Sequence, residues 1–282
     1  MGIKFEKVTH TFKNPDGKGC FVAMEDISLN IDAKSEFVAV CGHTGSGKST
    51  LIQHMNALLF PSSGNLEIFG RVIKKKRNRK LNEIRKKVGL VFQFPEYQLF
   101  DETVLKDVMF GPINFGLKKE EAKEKAINAL KMVGFEENLY DQSPFKLSGG
   151  QMKKASIAGI LALEPDIIVL DEPTRGLDPQ SSLEVMELFD SIHKKYDKTI
   201  VIITHDMDIV AKYAKRVVVL KDGKKVYDGS KLDLFTDKDF NTFHLDYPSS
   251  MKLAIDLKNK LNLDINTNVF TLEELIKELE RI

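Results

Sequence analysis

The chain has 282 residues, with 42 Lys and Arg against 41 Asp and Glu and a formal net charge of +1. A chain of that length buries about three quarters of its unfolded surface, enough for one or two compact units without disulfide or metal support. Balanced charge excludes general electrostatic capture of nucleic acid or anionic lipid, so partners must be recognised by shape and by particular sites. Two cysteines, Cys20 and Cys41, make no disulfide framework and fit a reducing compartment. No apolar run approaches the roughly 20 residues of a membrane span, and Met1–Glu6 lacks a signal-peptide core. If a membrane matters, the chain is expected to reach it through other proteins.

Residues 1 to 35 alternate apolar and polar in short runs around a turn-rich Asn14-Pro15-Asp16-Gly17-Lys18-Gly19, which predicts an antiparallel strand region. The apolar run Phe37-Val38-Ala39-Val40 then leads into Gly42-His43-Thr44-Gly45-Ser46-Gly47-Lys48-Ser49, which fits G-x-x-x-x-G-K-[ST]. Glycines let such a loop curl so that successive N–H groups point at phosphate oxygens, and the helix opening at Lys48 adds the positive end of its dipole. Lys48 is expected to reach the β- and γ-phosphates of a nucleotide and Ser49 to ligate Mg²⁺. Leu51, Ile52, Met55 and Leu58 give helical spacing after the loop. Pro61-Ser62-Ser63-Gly64 breaks it, and Leu66, Ile68 and Phe69 resume strand character.

Residues 71 to 87 carry ten Lys or Arg and one acid, Glu83, but no aromatic residue interleaves the charges for base stacking. A solvated loop is the better reading. Val88 to Phe92 form a further strand candidate that ends at Gln93, a residue placed to sense Mg²⁺ or an attacking water. From Val104 to Lys154 helical patterns dominate, with Ala122, Ala126, Ile127, Leu130 and Val133 on one side of a helix over Glu120 to Val133. Within this helical insert lies Leu147-Ser148-Gly149-Gly150-Gln151. Ser148 is a natural N-cap, and two glycines expose the first N–H groups of the helix that follows. The chain thus has two anion-binding helix ends, and spacing alone does not say whether they meet the same phosphate.

Ile167-Ile168-Val169-Leu170 and Ile200-Val201-Ile202-Ile203 are continuous apolar runs bounded by helices, the pattern of parallel strands buried on both faces. Asp171 and Glu172 end the first run at the carboxyl edge of the sheet, where α/β proteins bind ligands. Strand alternation is expected to send them in different directions, Asp171 toward Mg²⁺ and Glu172 toward the terminal phosphate as general base for water. His205 closes the second run and is placed to donate a hydrogen bond to the γ-phosphate. From about residue 240 the chain changes character. One helix runs from Pro248-Ser249-Ser250 through Leu253, Leu257 and Leu261. A second starts at the capping box Thr271-x-x-Glu274, with Leu272, Leu275, Ile276 and Leu279 as an apolar stripe. That stripe is expected either to pack on the body or to contact a second subunit.

Gly42 to Thr50, Gln93, Leu147 to Gln151, Ile167 to Glu172, Leu177-Asp178 and His205 stand in the order found in the nucleotide-binding subunits of ATP-binding cassette (ABC) transporters, which residues 1 to 235 resemble. The resemblance implies an α/β P-loop NTPase with a RecA-like parallel sheet, an antiparallel β subdomain, a helical subdomain at about 96–155 within 1–238, and a helical extension over 239–282. It implies ATP and Mg²⁺ as ligands. It also implies two subunits clamping two ATP molecules head to tail, each between one subunit's phosphate loop and the other's Ser148–Gln151 helix, with Asp178 on the loop that links the two sites. Catalytic roles fall on Glu172, His205 and Gln93; Mg²⁺ falls to Ser49, Gln93 and Asp171. Nucleotide contacts fall to Gly42, His43, Thr44, Gly45, Ser46, Gly47, Lys48, Ser49, Thr50, Ser148, Gly149, Gly150, Gln151 and Asp178. Phe12 matches the position of an aromatic ring stacked on adenine, with Phe21 as the alternative.

The wording of residues 42–50, Gln93 to Phe100 and Ser148 to Lys154, together with the helical extension, is similar to the A2-type ATPases of energy-coupling factor (ECF) importers of vitamins and metals. That likeness implies a heterodimer with an A1-type paralogue, or a homodimer. It also implies docking on a transmembrane T component that works with a substrate-capturing S component, and a peripheral place on the cytoplasmic face of the membrane. Arg175 departs from the small residue usual at its position. The rival expectations are the ATPase of another ABC transporter and a soluble cassette ATPase acting on nucleic acid. The latter kind usually adds a long coiled coil or a tandem cassette, and neither is visible in this sequence.

Overall fold

The structure is a computed structural model, and it describes residues 2–14, 17–74 and 81–281. The Pro15-Asp16 turn and the centre of the basic run, 75–80, lie outside the described residues. In chain order the regular elements begin with β1 (Ile3–Lys13), β2 (Cys20–Ile31), β3 (Phe37–Cys41), α1 (Lys48–Met55), β4 (Ser63–Ile68), β5 (Arg71–Val72), α2 (Leu81–Lys87) and β6 (Val88–Val91). They continue with α3 (Val104–Asn114), α4 (Lys119–Met132), α5 (Gly149–Leu161), β7 (Ile167–Asp171), α6 (Pro179–Tyr196), β8 (Thr199–Ile203) and α7 (Met207–Tyr213). The chain closes with β9 (Arg216–Lys221), β10 (Lys224–Ser230), α8 (Lys231–Thr236), α9 (Ser249–Leu261) and α10 (Leu272–Leu279).

Two sheets form. One is antiparallel, in the order β2-β1-β4-β5; the other runs β10-β9-β3-β8-β7-β6 and is parallel except for its edge strand β10. Continuous apolar sequence makes these parallel strands because both faces are covered. Phe37, Ala39 and Cys41 of β3 join one core cluster with Ile168, Leu170, Ile200 and Ile202, while Val38 and Val40 join the opposite cluster with Val169, Val201 and Ile203. The two-residue period of a strand thus splits each apolar run between two cores. One core lies under α3 to α7, and the other under α1, α2 and the antiparallel sheet.

The expected helical insert is α3, α4 and the start of α5. It packs through small side chains, with Ala122, Ala126, Ala129, Ala155 and Ala158 all buried, so the helices approach closely. Two local expectations shift. Helix α1 ends at Met55, leaving Leu58 outside it and 39% exposed, and Phe69 turns out of β4 with a left-handed φ of 48°.

Past residue 238 the chain stays on the body. Phe240, Phe243 and Met251 are buried in the core beneath α3 to α7, and Asp208 of α7 accepts from the Ser249 backbone N–H and hydroxyl at 2.6 Å each. A separate cluster of Ala254, Ile265, Val269 and Leu275 holds α9 to α10. In the expected capping box Thr271 does accept from the Glu274 N–H, but the Glu274 carboxylate reaches back one residue further, to the Phe270 N–H at 2.6 Å. Of the apolar stripe on α10 only Leu275 is covered; Leu272, Ile276 and Leu279 are exposed.

Phe189 of α6 is fully buried beneath the parallel sheet. Phe189→Ala is expected to cost on the order of 3–5 kcal/mol of stability, read from the urea midpoint of the purified chain.

Candidate functional site

Register brings the site together. Val40 of β3 and Asp171 of β7 both lie opposite Ile203 of β8, so three neighbouring strands end at the same level. The loops leaving them carry the phosphate loop, Glu172 and His205. They line one cavity of about 1250 Å³, with Gly42, His43, Thr44, Lys48, Glu172 and His205 among its walls.

The phosphate loop needs glycine for two different reasons. At Gly42, φ is 140° and a Cβ would sit 2.1 Å from the Leu220 carbonyl oxygen of β9; at Gly47, φ is 100° and a Cβ would meet the Ala23 carbonyl at 2.6 Å. The loop is pressed against two other strands and can carry side chain at neither place. Gly47 also stands at the N-cap of α1 without a side chain to occupy the first N–H groups, which leaves them directed out of the helix end. Lys48 folds back over the loop, its Nζ donating to the carbonyls of Gly42 at 2.6 Å and His43 at 2.8 Å. Burial lowers its pKa, opposed by the negative charge of Glu172 and Asp171. His43 is tethered as well, Nε2 lying 3.3 Å from the Asp222 carboxylate in the β9–β10 turn. Ser46 is fully buried beneath the loop, whereas Thr44, Gly45 and Ser49 face solvent and Thr50 is half-buried.

The turn at Glu172 comes from its own backbone rather than from strand alternation. Glu172 leaves the strand in the left-handed region, φ 48°, its N–H donating to the Ile203 carbonyl at 3.0 Å. A non-glycine residue held there is strained, and such strain gathers at functional sites. The turn aims the Glu172 carboxylate at His205 Nδ1, 2.9–3.0 Å away, which leaves Nε2 as the ring nitrogen able to address a ligand. Asp171 remains in the strand. Burial, with the Glu172 carboxylate beside it, raises its pKa above the ordinary 3.8, and Lys48 opposes the shift. Cys41, next to the loop, has its thiol pushed up to about 12 by burial and is chemically silent.

The second helix end is elsewhere. Ser148 caps α5 by accepting from the Gln151 N–H, and the Gln151 side chain returns to the Ser148 N–H at 3.0 Å, closing a capping box. Cβ atoms added at Gly149 or Gly150 would meet open space. Ser148, Gly150 and Gln151 line a separate cavity with Ser181 and Glu184, not the one that holds Lys48. Asp178, N-cap of α6, is exposed and accepts from the Ser181 N–H and hydroxyl, which lowers its pKa.

Phe12 and Phe21 turn out to be cross-strand partners, their rings stacked with centroids 5.4 Å apart. The two candidates for adenine form one aromatic shelf.

Residues 24–175 match the family model described as ABC transporter. The chain is 44% identical over its whole length to the energy-coupling factor transporter ATP-binding protein EcfA2 of Bacillus licheniformis, covering 98% of it. It is 46% identical over 93% of its length to that of Bacillus subtilis, covering 95% of that protein. Among solved structures, CbiO1 of Clostridium perfringens, part of the CbiONQ ABC transporter complex, superposes with a TM-score of 0.74 at 36% identity over 92% of this chain and 95% of its own. A dimeric ATP-binding cassette, MJ0796, in a post-hydrolysis state with ADP and Pi gives 0.71 at 33% identity over 81% of this chain and 98% of that one.

The chain belongs to the ATP-binding subunits of energy-coupling factor ABC transporters. As such it is an ATP-hydrolysing subunit that energises transport, and among the described residues no helix is long and apolar enough to cross a membrane. Two features of this ABC subunit have no signal in motif spacing. The segment His244 to Asp246, beyond α8, lines the same cavity as the phosphate loop. Arg175, conspicuous in sequence only as a charge at a usually small position, forks onto Gln93: with the amide oxygen facing it, Nη1 donates at 2.9 Å and Nε at 3.0 Å.

A raised pKa carries a sign. Folded Asp171 binds its proton more tightly than the unfolded chain does, so stability falls as pH rises from the ordinary carboxylate value of 3.8 through the raised one, and stays lower above it. Asp171→Asn is therefore expected to raise the melting temperature of the nucleotide-free chain at pH 7, and the gain should vanish near pH 4 (~3.9 for free Asp). Calorimetry across pH checks this; a gain that grows on acidification contradicts it.

Proposed function

We propose that this subunit powers uptake of a vitamin or transition-metal micronutrient by supplying half of each of two ATP sites that close between two ATPase subunits. The carrying observation is the separation of the two helix ends into different cavities of one chain. In this reading a γ-phosphate resting in the loop of residues 42–50 meets the Ser148–Gln151 helix end of another subunit. Two anion-binding helix ends and Lys48 then share one triphosphate, and the attraction weakens when hydrolysis divides the charge.

In this reading Gly42 to Thr50 wrap the phosphates and Phe12 or Phe21 stacks on adenine. Ser49 and Asp171 hold Mg²⁺ with Gln93 nearby. The residues suit a hard cation: burial, with the Glu172 carboxylate beside it, raises the proton affinity of the Asp171 carboxylate, which a bound cation would relieve. Mg²⁺ supplies charge neutralisation on the phosphates. Glu172, oriented by His205 Nδ1, polarises the attacking water, and His205 Nε2 donates to the γ-phosphate. Asp178 passes contact between the two sites.

The partners in this reading are an A1-type paralogue, or a second copy, and the membrane T and S components, with the subunit peripheral on the cytoplasmic face. Tyr97, Phe100, Phe110 and Ile113 are exposed on the insert and its entry, and Phe100 and Phe110 meet edge to face at 4.9 Å. They form the grip for a membrane partner. Phe94, next to Gln93, is half-buried against Gly176.

Glu172→Gln is expected to retain ATP-driven dimerisation, measured by light scattering on the chain with its co-purifying ATPase partner, while phosphate release falls at least about 100-fold. Normal turnover contradicts the role of Glu172. Full-rate hydrolysis by a strict monomer carrying Ser148→Ala and Gly149→Val contradicts the shared site.

A further inference from the structure

Two short segments, far apart in sequence, are clasped at two adjacent positions. With the Gln93 amide turned so that its oxygen rather than its NH₂ faces the donor-only guanidinium, Arg175 donates twice to that oxygen. One residue on in each segment, a Cβ added at Gly176 would lie only 3.3 Å from the Phe94 ring, and Phe94 holds a left-handed φ of 54°. Glycine at 176 is what lets the Phe94 ring lie so close to that backbone. Arg175 lines the large cavity of the phosphate loop, and Gln93 is not among that cavity's walls.

The chemistry of the amide oxygen gives this clasp a consequence. That atom has two lone pairs, and the arginine fork uses both. It is also the atom through which Gln93 would ligate Mg²⁺ or orient water. A metal cation and a guanidinium cannot occupy it together, since no lone pair remains and the two positive charges repel at contact. Lysine would not substitute fully, because its ammonium is a point donor without the planar fork.

We propose that Arg175 is a positioning residue that gates Gln93, holding its amide oxygen off the metal until the segment carrying Arg175 moves. This rests on the role given above to Gln93. The same segment runs on to Asp178 at the start of α6, an exposed residue on the expected subunit contact. Approach of the second subunit there would draw Arg175 away and free Gln93, so that the metal site is completed only in the closed pair.

The test uses the full chain in its purified transporter complex, in a Glu172→Gln background that stops turnover. Equilibrium binding of a fluorescent ATP analogue is titrated with Mg²⁺ for Arg175→Ala, Arg175→Lys, Gln93→Ala and the Arg175→Ala/Gln93→Ala pair. Hydrolysis is measured separately with Glu172 intact. Arg175→Ala should lower the half-saturating Mg²⁺ concentration on the order of fivefold, with Arg175→Lys between it and the parent. In the Gln93→Ala background Arg175→Ala should change nothing. The gate is overturned if Gln93→Ala shifts the Mg²⁺ curve but Arg175→Ala does not, or if Arg175→Ala shifts it equally with and without Gln93. Should Gln93→Ala leave both binding and hydrolysis unchanged, the role of Gln93 fails first and the gate with it. Arg175→Lys keeps the charge and decides the matter if the alanine variant melts early.

Discussion

The pairing of Val40 and Asp171 with the same residue, Ile203, is the constraint on which the site depends. It ends three parallel strands at one level, so that the phosphate loop, the Asp171-Glu172 pair and His205 leave the sheet side by side. A slip of one residue in any of these strands would exchange its two buried faces, which both cores forbid. Packing on two sides therefore fixes a chemical arrangement at the edge. The rigid edge also tolerates features that a looser fold would relax: the left-handed Glu172, a Lys48 half withdrawn from water, and a carboxylate whose burial raises its proton affinity.

The two glycine-rich helix starts differ in a way that suits different tasks. Helix α1 begins with a glycine and no side-chain cap, pressed against β2 and β9, so its free N–H groups are held in one fixed place. Helix α5 begins with a closed Ser148–Gln151 box and glycines in open space, an end that is stable alone yet accessible from outside. A fixed internal cradle and a preformed external one are what the proposed shared site requires. The exposed stripe on α10 and the exposed aromatics on the helical insert add two further faces without partners in the single chain.

Contacts made by single side chains join loops that the sheet alone only brings near. Asp222 holds His43, Asp208 holds the start of α9, and Arg175 holds Gln93. The last of these is polar and its Arg175 end is exposed, so it is cheaper to break than the buried strand pairs. Devices that move during a cycle are expected among such contacts rather than in the core.

The sequence by itself determined the strands at 37–41, 167–171 and 199–203, because double-sided burial demands unbroken apolar residues. It also determined the phosphate loop, because Gly42 and Gly47 occupy backbone shapes closed to other residues, and the Ser148 cap, which needs only local hydrogen bonds. Local rules were enough wherever the cause lay within a few residues. Tertiary structure alone decided that Phe12 and Phe21 form one stack, that Glu172 turns by left-handed backbone rather than by strand alternation, and that Phe94 packs on Gly176. It also decided that residues 244–246 wall the same cavity as the phosphate loop and that Arg175 answers Gln93. Each of these depends on where distant segments meet, and the energy of such a meeting is set by register and packing, which no periodicity in either segment records.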